Sequence, residues 1–375
     1  MPKPNLNRLV LQAIFSDYMQ KKILITGGAG FVGSSLAISL KNDHPDYTIC
    51  CLDNLKRRGS ELNVPRLAKN GIEFIHGDVR SREDILQIDS GFTTIIEASA
   101  EPSVLAGLND APEYLIDTNL NGTINCLYLA ARIKADFIFL STSRVYPIGD
   151  LEKINFTEEK TRFAISTKQS ITGISQKGIT EQFPLFGFRS LYGATKLSSE
   201  LMISEFNQFY NFKTVINRCG VIAGPWQMGK VDQGVAVLWV ARHLWKKPLQ
   251  YIGYGGKGKQ VRDILDVTDL YKLIDYQVHH MDSVNGKTFN VGGGVDNSLS
   301  LLELTDLCRQ ITGNTIPIDE ISETRQADIR IYVTDNAFVK EQTGWEPLVT
   351  NQKTLSSIFS WLKENEAALK PILGK

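Results

Sequence analysis

Tyr192 and Lys196 stand four residues apart in Leu-Tyr-Gly-Ala-Thr-Lys. On a helix that spacing places both side chains on one face. A phenol with an ordinary pKa of about 10 is a poor base near neutral pH. An ammonium one turn away favours the phenolate, the form that takes a proton from a hydroxyl. Taken alone the pair says little, because Tyr-x3-Lys also arises by chance on exposed helix faces.

A second motif stands upstream, in Lys22-Ile-Leu-Ile-Thr-Gly-Gly-Ala-Gly-Phe-Val-Gly33. A short apolar run, a cluster of glycines and the amphipathic stretch Ser34 to Leu40 predict a strand, a tight turn and a helix. Gly28, Gly30 and Gly33 satisfy G-x-G-x-x-G, and Gly27, Gly30 and Gly33 satisfy G-x-x-G-x-x-G. Either spacing lets the backbone, with Phe31 and Val32 at the helix start, approach a pyrophosphate. Twenty residues beyond Gly33 the apolar run Tyr47 to Leu52 ends in Asp53, followed by Asn54. A carboxylate there would accept hydrogen bonds from an adenosine ribose. It favours NAD over NADP, since it would repel a 2′-phosphate. Lys56, Arg57 and Arg58 pull the other way, as three cations that could hold such a phosphate.

The elements that must position these groups follow from the rest of the chain. Its 375 residues are 42% hydrophobic and 22% charged, an ordinary globular composition large enough for one large core or two smaller ones. Forty-one basic and 41 acidic residues balance, which removes the general electrostatic case for nucleic acid or an anionic membrane. No apolar run reaches the ~18 residues of a membrane-spanning helix. The apolar part of residues 1–20, Leu9 to Phe15, is short and lacks a small-residue cleavage site, so an N-terminal extension is expected there and not a secretory signal. Cys50, Cys51, Cys126, Cys219 and Cys308 lie mostly in apolar runs without metal spacing. That pattern points to buried thiols in a reducing cytoplasm and to no metal site.

Apolar runs at Ile72 to His76, Thr94 to Ala98, Asp136 to Thr142 and Thr214 to Arg218 alternate with longer amphipathic segments. Such alternation predicts an α/β protein, a doubly wound parallel Rossmann sheet over residues 21–219. The regularity fades near residue 220, where Gly, Pro and Trp cluster in Gly224-Pro-Trp-Gln-Met-Gly229. A smaller mixed α/β substrate lobe is therefore expected over 220–375, with some segments returning to the first domain. Residues 147–189 exceed an ordinary βα connection. A long loop at the carboxyl end of a parallel sheet is expected to wall a substrate pocket, with a plain surface insertion as the alternative.

The Tyr-Lys pair, the glycine turn and the ribose acid together resemble the nucleotide-sugar epimerase/dehydratase branch of the extended short-chain dehydrogenase/reductase superfamily. The likeness runs from about Lys22 to about Leu362. Gly77-Asp78-Val79 resembles the family's adenine-contacting turn, Asn119 with Gly122-Thr123 its Asn-x-x-Gly-Thr helix, and Gly344-Trp345-Glu-Pro347 its C-terminal signature. The resemblance implies NAD as cofactor, held also by Asp78, Val79, Ala98, Ser99, Ala100, Asn119, Tyr192 and Lys196. It gives Thr142 the place of a hydroxyl set against the reacting sugar hydroxyl. It gives Tyr192 the role of acid/base, and Lys196 those of lowering the Tyr192 pKa and fixing the ribose.

Dehydratases and decarboxylating members usually follow that hydroxyl with acids. Here Ser143 and Arg144 follow it, which argues against elimination and decarboxylation. Arg262 in Gly258-Lys-Gln-Val-Arg-Asp263 and Arg325 in Arg-Gln-Ala-Asp328 match two family arginines that hold the nucleotide diphosphate. Gln233 and Gln260 join Thr142, Ser143 and Arg144 as implied substrate contacts. The finer likeness, in Asp232-Gln233-Gly234, in Asn297 to Leu304 and in the long loop, is to members that invert C2 of CDP-linked 3,6-dideoxyhexoses. Glu97, where relatives usually carry a histidine, and Trp226, where many carry Arg, depart from the pattern. A UDP-hexose 4-epimerase, an NADPH-dependent reductase and a non-catalytic NAD-binding protein stay open as alternatives. The family commonly forms dimers or tetramers.

Overall fold

Seven strands form one parallel sheet: β1 (Lys22–Thr26), β2 (Thr48–Asp53), β3 (Glu73–His76), β4 (Thr94–Glu97), β5 (Asp136–Thr142), β6 (Thr214–Cys219) and β7 (Lys287–Val291). The computed structural model describes residues 21–108, 111–229 and 233–374. Their order is β7-β6-β5-β4-β1-β2-β3, all neighbours parallel. The strands read as near-continuous apolar runs because a doubly wound sheet is covered on both faces. Side chains alternate between faces with period two. Thus Ile23 and Ile25 join one layer, under α1 (Phe31–Asp43) and the Val267–His279 helix, through Leu36, Leu40, Leu270 and Ile274. Leu24 joins the opposite layer with Phe137, Phe139, Leu127, Ile203 and Phe206, the last three from α2 (Gly122–Ile133) and α3 (Leu191–Tyr210). All five cysteines are free and buried in these layers and in the lobe.

Strand order reverses between β1 and β4, which opens a crevice at the carboxyl ends of the two strands. Beyond residue 220 the chain builds a smaller mixed sheet from Val221–Ala223, Val261–Asp266, Ser298–Ser300 and Ile331–Tyr332, while β7 returns to the main sheet. The lobe has its own core, in which Leu238, Trp239 and Val240 of α4 (Val235–Leu244) meet Leu304, Leu355 and Trp361. No helix among the described residues is long and apolar enough to cross a membrane. The N-terminal extension and Asp232 lie outside the described residues.

The long connection 147–189 differs from its expected role. It folds into a short helix, Ile148–Leu151, and two hairpins, Phe156–Glu158 with Phe163–Ile165 and Ile174–Ser175 with Gly178–Ile179. Arg162 straps it to the lobe, its Nε 2.9 Å from Glu303 Oε1 and its Nη1 2.9 Å from Ser298 Oγ. Its apolar residues serve the loop itself: Phe183 is buried edge-on against Tyr146 at 5.5 Å, whereas Phe186 is 96% exposed. The segment contributes none of the side chains that line the large cavity described below.

Candidate active site

The glycine turn joins β1 to α1 with almost no room to spare. Gly27 has φ +64°, and a Cβ there would stand 2.7 Å from the Ala98 carbonyl oxygen; a Cβ on Gly33 would stand 2.3 Å from that of Gly27. Only hydrogen fits at either place. Gly30 caps α1 with no side-chain hydrogen bond and no acid stands in the first turn. The first amides of α1, from Phe31, Val32 and Gly33, are thus left for an anion at the positive end of the helix. Asp53 closes β2 with its carboxylate held by two amides, Ala29 at 3.1 Å and Leu55 at 2.8 Å. A carboxylate has about four acceptor sites, so two remain for ribose hydroxyls. Asn54 donates to Asp78 at 2.9 Å, which ties the end of β2 to the turn after β3, and Val79 is buried beneath. Arg57, one of the three cations that could have held a 2′-phosphate, donates instead to the Met228 carbonyl at 2.6 Å and to Gln233. The cradle fits an NAD molecule.

Asn119 sits in a one-turn π-helix, Asp117–Asn121, that runs into α2. Such turns recur at functional sites. Fully buried, it was expected to touch the cofactor, but its side chain spans protein groups instead. Its Oδ1 accepts from the Glu101 amide at 2.8 Å, and its Nδ2 donates to the Glu101 carbonyl at 3.1 Å and to Thr195 at 3.4 Å. Asn119 therefore locks the segment after β4, which contains Ala98, Ser99 and Ala100, onto the helix that carries Tyr192 and Lys196.

That helix, α3, starts at Ser190, whose hydroxyl accepts from the Gly193 amide. A Cβ on Gly193 would lie 2.1 Å from the Arg144 carbonyl oxygen, so a glycine between Tyr192 and Lys196 lets the helix seat against the end of β5. Alanine in a helix is ordinarily favoured over glycine by about 1 kcal/mol. Here Gly193→Ala is expected to destabilise by about 1–3 kcal/mol, because a backbone carbonyl cannot give way. A urea titration of both proteins measures it, and an unchanged midpoint would contradict the close packing.

The seating brings Tyr192 beside the Thr142 hydroxyl. Burial pushes the Tyr192 phenol up to about 12, against which the Thr142 hydrogen bond and the charge of Arg144 act downward. The lowering was expected from Lys196. The Lys196 ammonium lies 3.9 Å from Glu97 Oε2 and 4.1 Å from the centre of the Phe139 ring. Arg144 is a cation whose charge favours the phenolate, and its own pKa is pulled down to about 10 by burial. The sequence marks Arg144 as an implied substrate contact and a departure from family acids, not as a charge acting on the phenol.

A cavity of about 460 Å³ opens at Arg144 and extends into the lobe, a volume suited to a small-molecule ligand. Arg144, Arg262 and Arg325 line it together with Gln233 and Gln260, whereas Ser143 is buried and not part of the lining. The Arg262 guanidinium is already forked onto Asp328 at 2.9 Å and the Ile329 carbonyl at 2.6 Å, which fixes its plane. Sequence reasoning missed Arg242, whose only signal is a lone cation at the end of the apolar run of α4. The apolar wall comes from Leu238, Trp239, Leu249 and Leu301 of the lobe, and not from Phe183, Leu185, Phe186 and Phe188 of the long loop. Trp226 packs at 5.7 Å from Trp361 under the Arg66 guanidinium, away from the cavity.

Comparison with known proteins gives the same picture. The model of the NAD dependent epimerase/dehydratase family matches residues 23–292. The CDP-paratose 2-epimerase of Salmonella typhi is 30% identical over 91% of this chain and 98% of its own length. The UDP-glucose 4-epimerase of Corynebacterium glutamicum is 25% identical over 89% and 93%. A crystal structure of dTDP-glucose 4,6-dehydratase from Bacillus anthracis in complex with NAD superposes with a TM-score of 0.74 at 25% identity, covering 94% of this chain and 99% of that one. Matched by the family's model over residues 23–292, the chain belongs to the NAD-dependent epimerase/dehydratase family and uses NAD as its cofactor.

Proposed function

We propose that this protein is an NAD-dependent nucleotide-sugar epimerase that inverts C2 of a CDP-linked 3,6-dideoxyhexose. The observation that carries the reading is Arg144. It stands after Thr142 where an eliminating enzyme would place an acid, it lines the cavity, and its charge acts to lower the Tyr192 pKa. A cation there favours a phenolate and a developing alkoxide, and it offers no proton donor for expelling a hydroxyl. The likeness to the Salmonella typhi CDP-paratose 2-epimerase supports the choice of base and carbon. The apolar wall of the cavity suits a sugar that lacks its 3- and 6-hydroxyls, since each hydroxyl of a fully hydroxylated hexose would need a partner there.

Bound NAD supplies a reversible hydride acceptor, so that the cofactor leaves the cycle unchanged. Tyr192 takes the proton of the reacting hydroxyl, and Thr142 hydrogen-bonds the same oxygen as it becomes a carbonyl. The arginines of the cavity hold the diphosphate while the keto sugar turns its other face. Tyr192 then returns the proton to the oxygen of the inverted centre. Exposed Leu201, Phe209 and Tyr210 on α3 support self-association through that helix.

The test uses CDP-paratose labelled with deuterium at C2 and, separately, UDP-glucose labelled at C4. NMR is expected to show CDP-tyvelose with the label kept on the inverted carbon. Conversion of UDP-glucose with CDP-paratose untouched would replace the C2 reading by the 4-epimerase.

A further inference from the structure

The structure assigns Glu97 a positioning role: it is the counter-ion that keeps Lys196 an ammonium inside the catalytic crevice. Glu97 is the last residue of β4, in the middle of the sheet, and is fully buried. A carboxylate there costs several kcal/mol of lost hydration unless a charge answers it. Its two oxygens are treated differently. Oε1 accepts from the Ser99 amide at 3.1 Å and the Thr26 hydroxyl at 3.5 Å, whereas Oε2 has no hydrogen-bond partner among the described residues. The fixed oxygen thus aims the other at Lys196 Nζ, 3.9 Å away.

Lys196 needs that answer, because it is only 1% exposed. A lysine at such depth without a counter-ion loses its proton readily, its pKa falling by up to ~5 units. The other titratable groups around the pair do not supply one. Glu200, one turn along α3, is held bidentate by Arg218, with Nε 3.1 Å from each carboxylate oxygen and Nη2 at 2.7 Å. Cys219 of β6 faces Lys196 and Cys126 of α2 faces Glu97, and burial pushes both thiols up, so they stay neutral. Among the described residues Glu97 is the carboxylate left to balance the charge; burial lowers the Lys196 pKa and raises that of Glu97, and each charge opposes the shift of the other. Its effect reaches the reaction through Lys196, whose charged donors are the groups suited to hold the ribose of NAD beside Tyr192.

The inference rests on the assignment of Lys196 to that task and not on the identity of the sugar. It is tested by the pH at which the protein releases NAD. Wild type and Glu97→Gln are loaded at neutral pH and dialysed across an alkaline series, and the NAD retained is measured after denaturation. Removing the carboxylate lets Lys196 give up its proton earlier as pH rises. Glu97→Gln is therefore expected to release NAD at least about one pH unit below wild type, with the alkaline limb of kcat/KM moving the same way. Glu97→Asp keeps the charge and should stay near wild type. In a Lys196→Met background Glu97→Gln should cause no further shift.

Equal release midpoints in wild type and Glu97→Gln overturn the inference, as does an equal shift in the Lys196→Met background. If neither Glu97→Gln nor Glu97→Asp holds NAD at neutral pH, the residue is structural and the inference also falls. Retention is read without any sugar. Failure of every nucleotide sugar to turn over would therefore count against the proposed function and leave the Glu97 result standing.

Discussion

Tyr192→Phe is expected to lower epimerisation by about 10² or more, the usual loss on removing a positioned acid/base. The ring fills the same space, so the fold and NAD content should be retained, and the loss then reports the missing hydroxyl. Burial holds the phenol up to about 12, with Thr142 and Arg144 opposing that rise. At working pH only a small fraction is phenolate. Proton removal by wild type is therefore expected to quicken as pH rises toward that value, whereas the residual rate of the Phe variant should lack this limb. A pH series of kcat/KM on both proteins checks it. Near-wild-type turnover by the variant would take Tyr192 out of the mechanism.

The largest loss of stability is expected from Glu200→Ala. Glu200 lies on α3, one turn beyond Lys196, and its carboxylate receives the Arg218 fork and the Ser141 hydroxyl. Arg218 is 6% exposed and also donates to the Tyr146 hydroxyl at 3.2 Å. Deleting the acid strands a guanidinium in the sheet core, at a cost of about 3–5 kcal/mol. Replacing both partners, as in Glu200→Ala with Arg218→Met, removes the stranded charge and should restore much of the loss. Chemical unfolding of the three proteins decides it. A single variant as stable as wild type would mean that water reaches Arg218 and that the pair is not sealed.

Much of the frame was legible because it rests on local pattern. The apolar runs at 22–26, 48–53, 136–142 and 214–219 are strands, and their alternation with helices is a doubly wound sheet. The glycine spacing announced the turn, since a Cβ at Gly27 or Gly33 would strike backbone. Cys50 and Cys51 read as buried thiols from their apolar neighbours alone.

The long loop was misread because its length and polarity do not say which way it folds. Arg162 straps it onto the lobe, and a contact between residues 162 and 303 leaves no local trace. Asn119 and Arg242 show the same limit, one holding Glu101 and Thr195, the other lining the cavity from an apolar helix.

The chemistry available was thus legible in the residue order, a phenol and an ammonium four apart on one helix and glycines at dinucleotide-turn spacing, because separation along the chain is covalent. How charge is shared among them depends on the packing. Glu97, Arg144 and Lys196 come from β4, the end of β5 and α3. Which cation meets the phenol and which meets the buried carboxylate depends on distances of a few ångströms across the sheet, and electrostatic energy in a water-poor site varies steeply over that range.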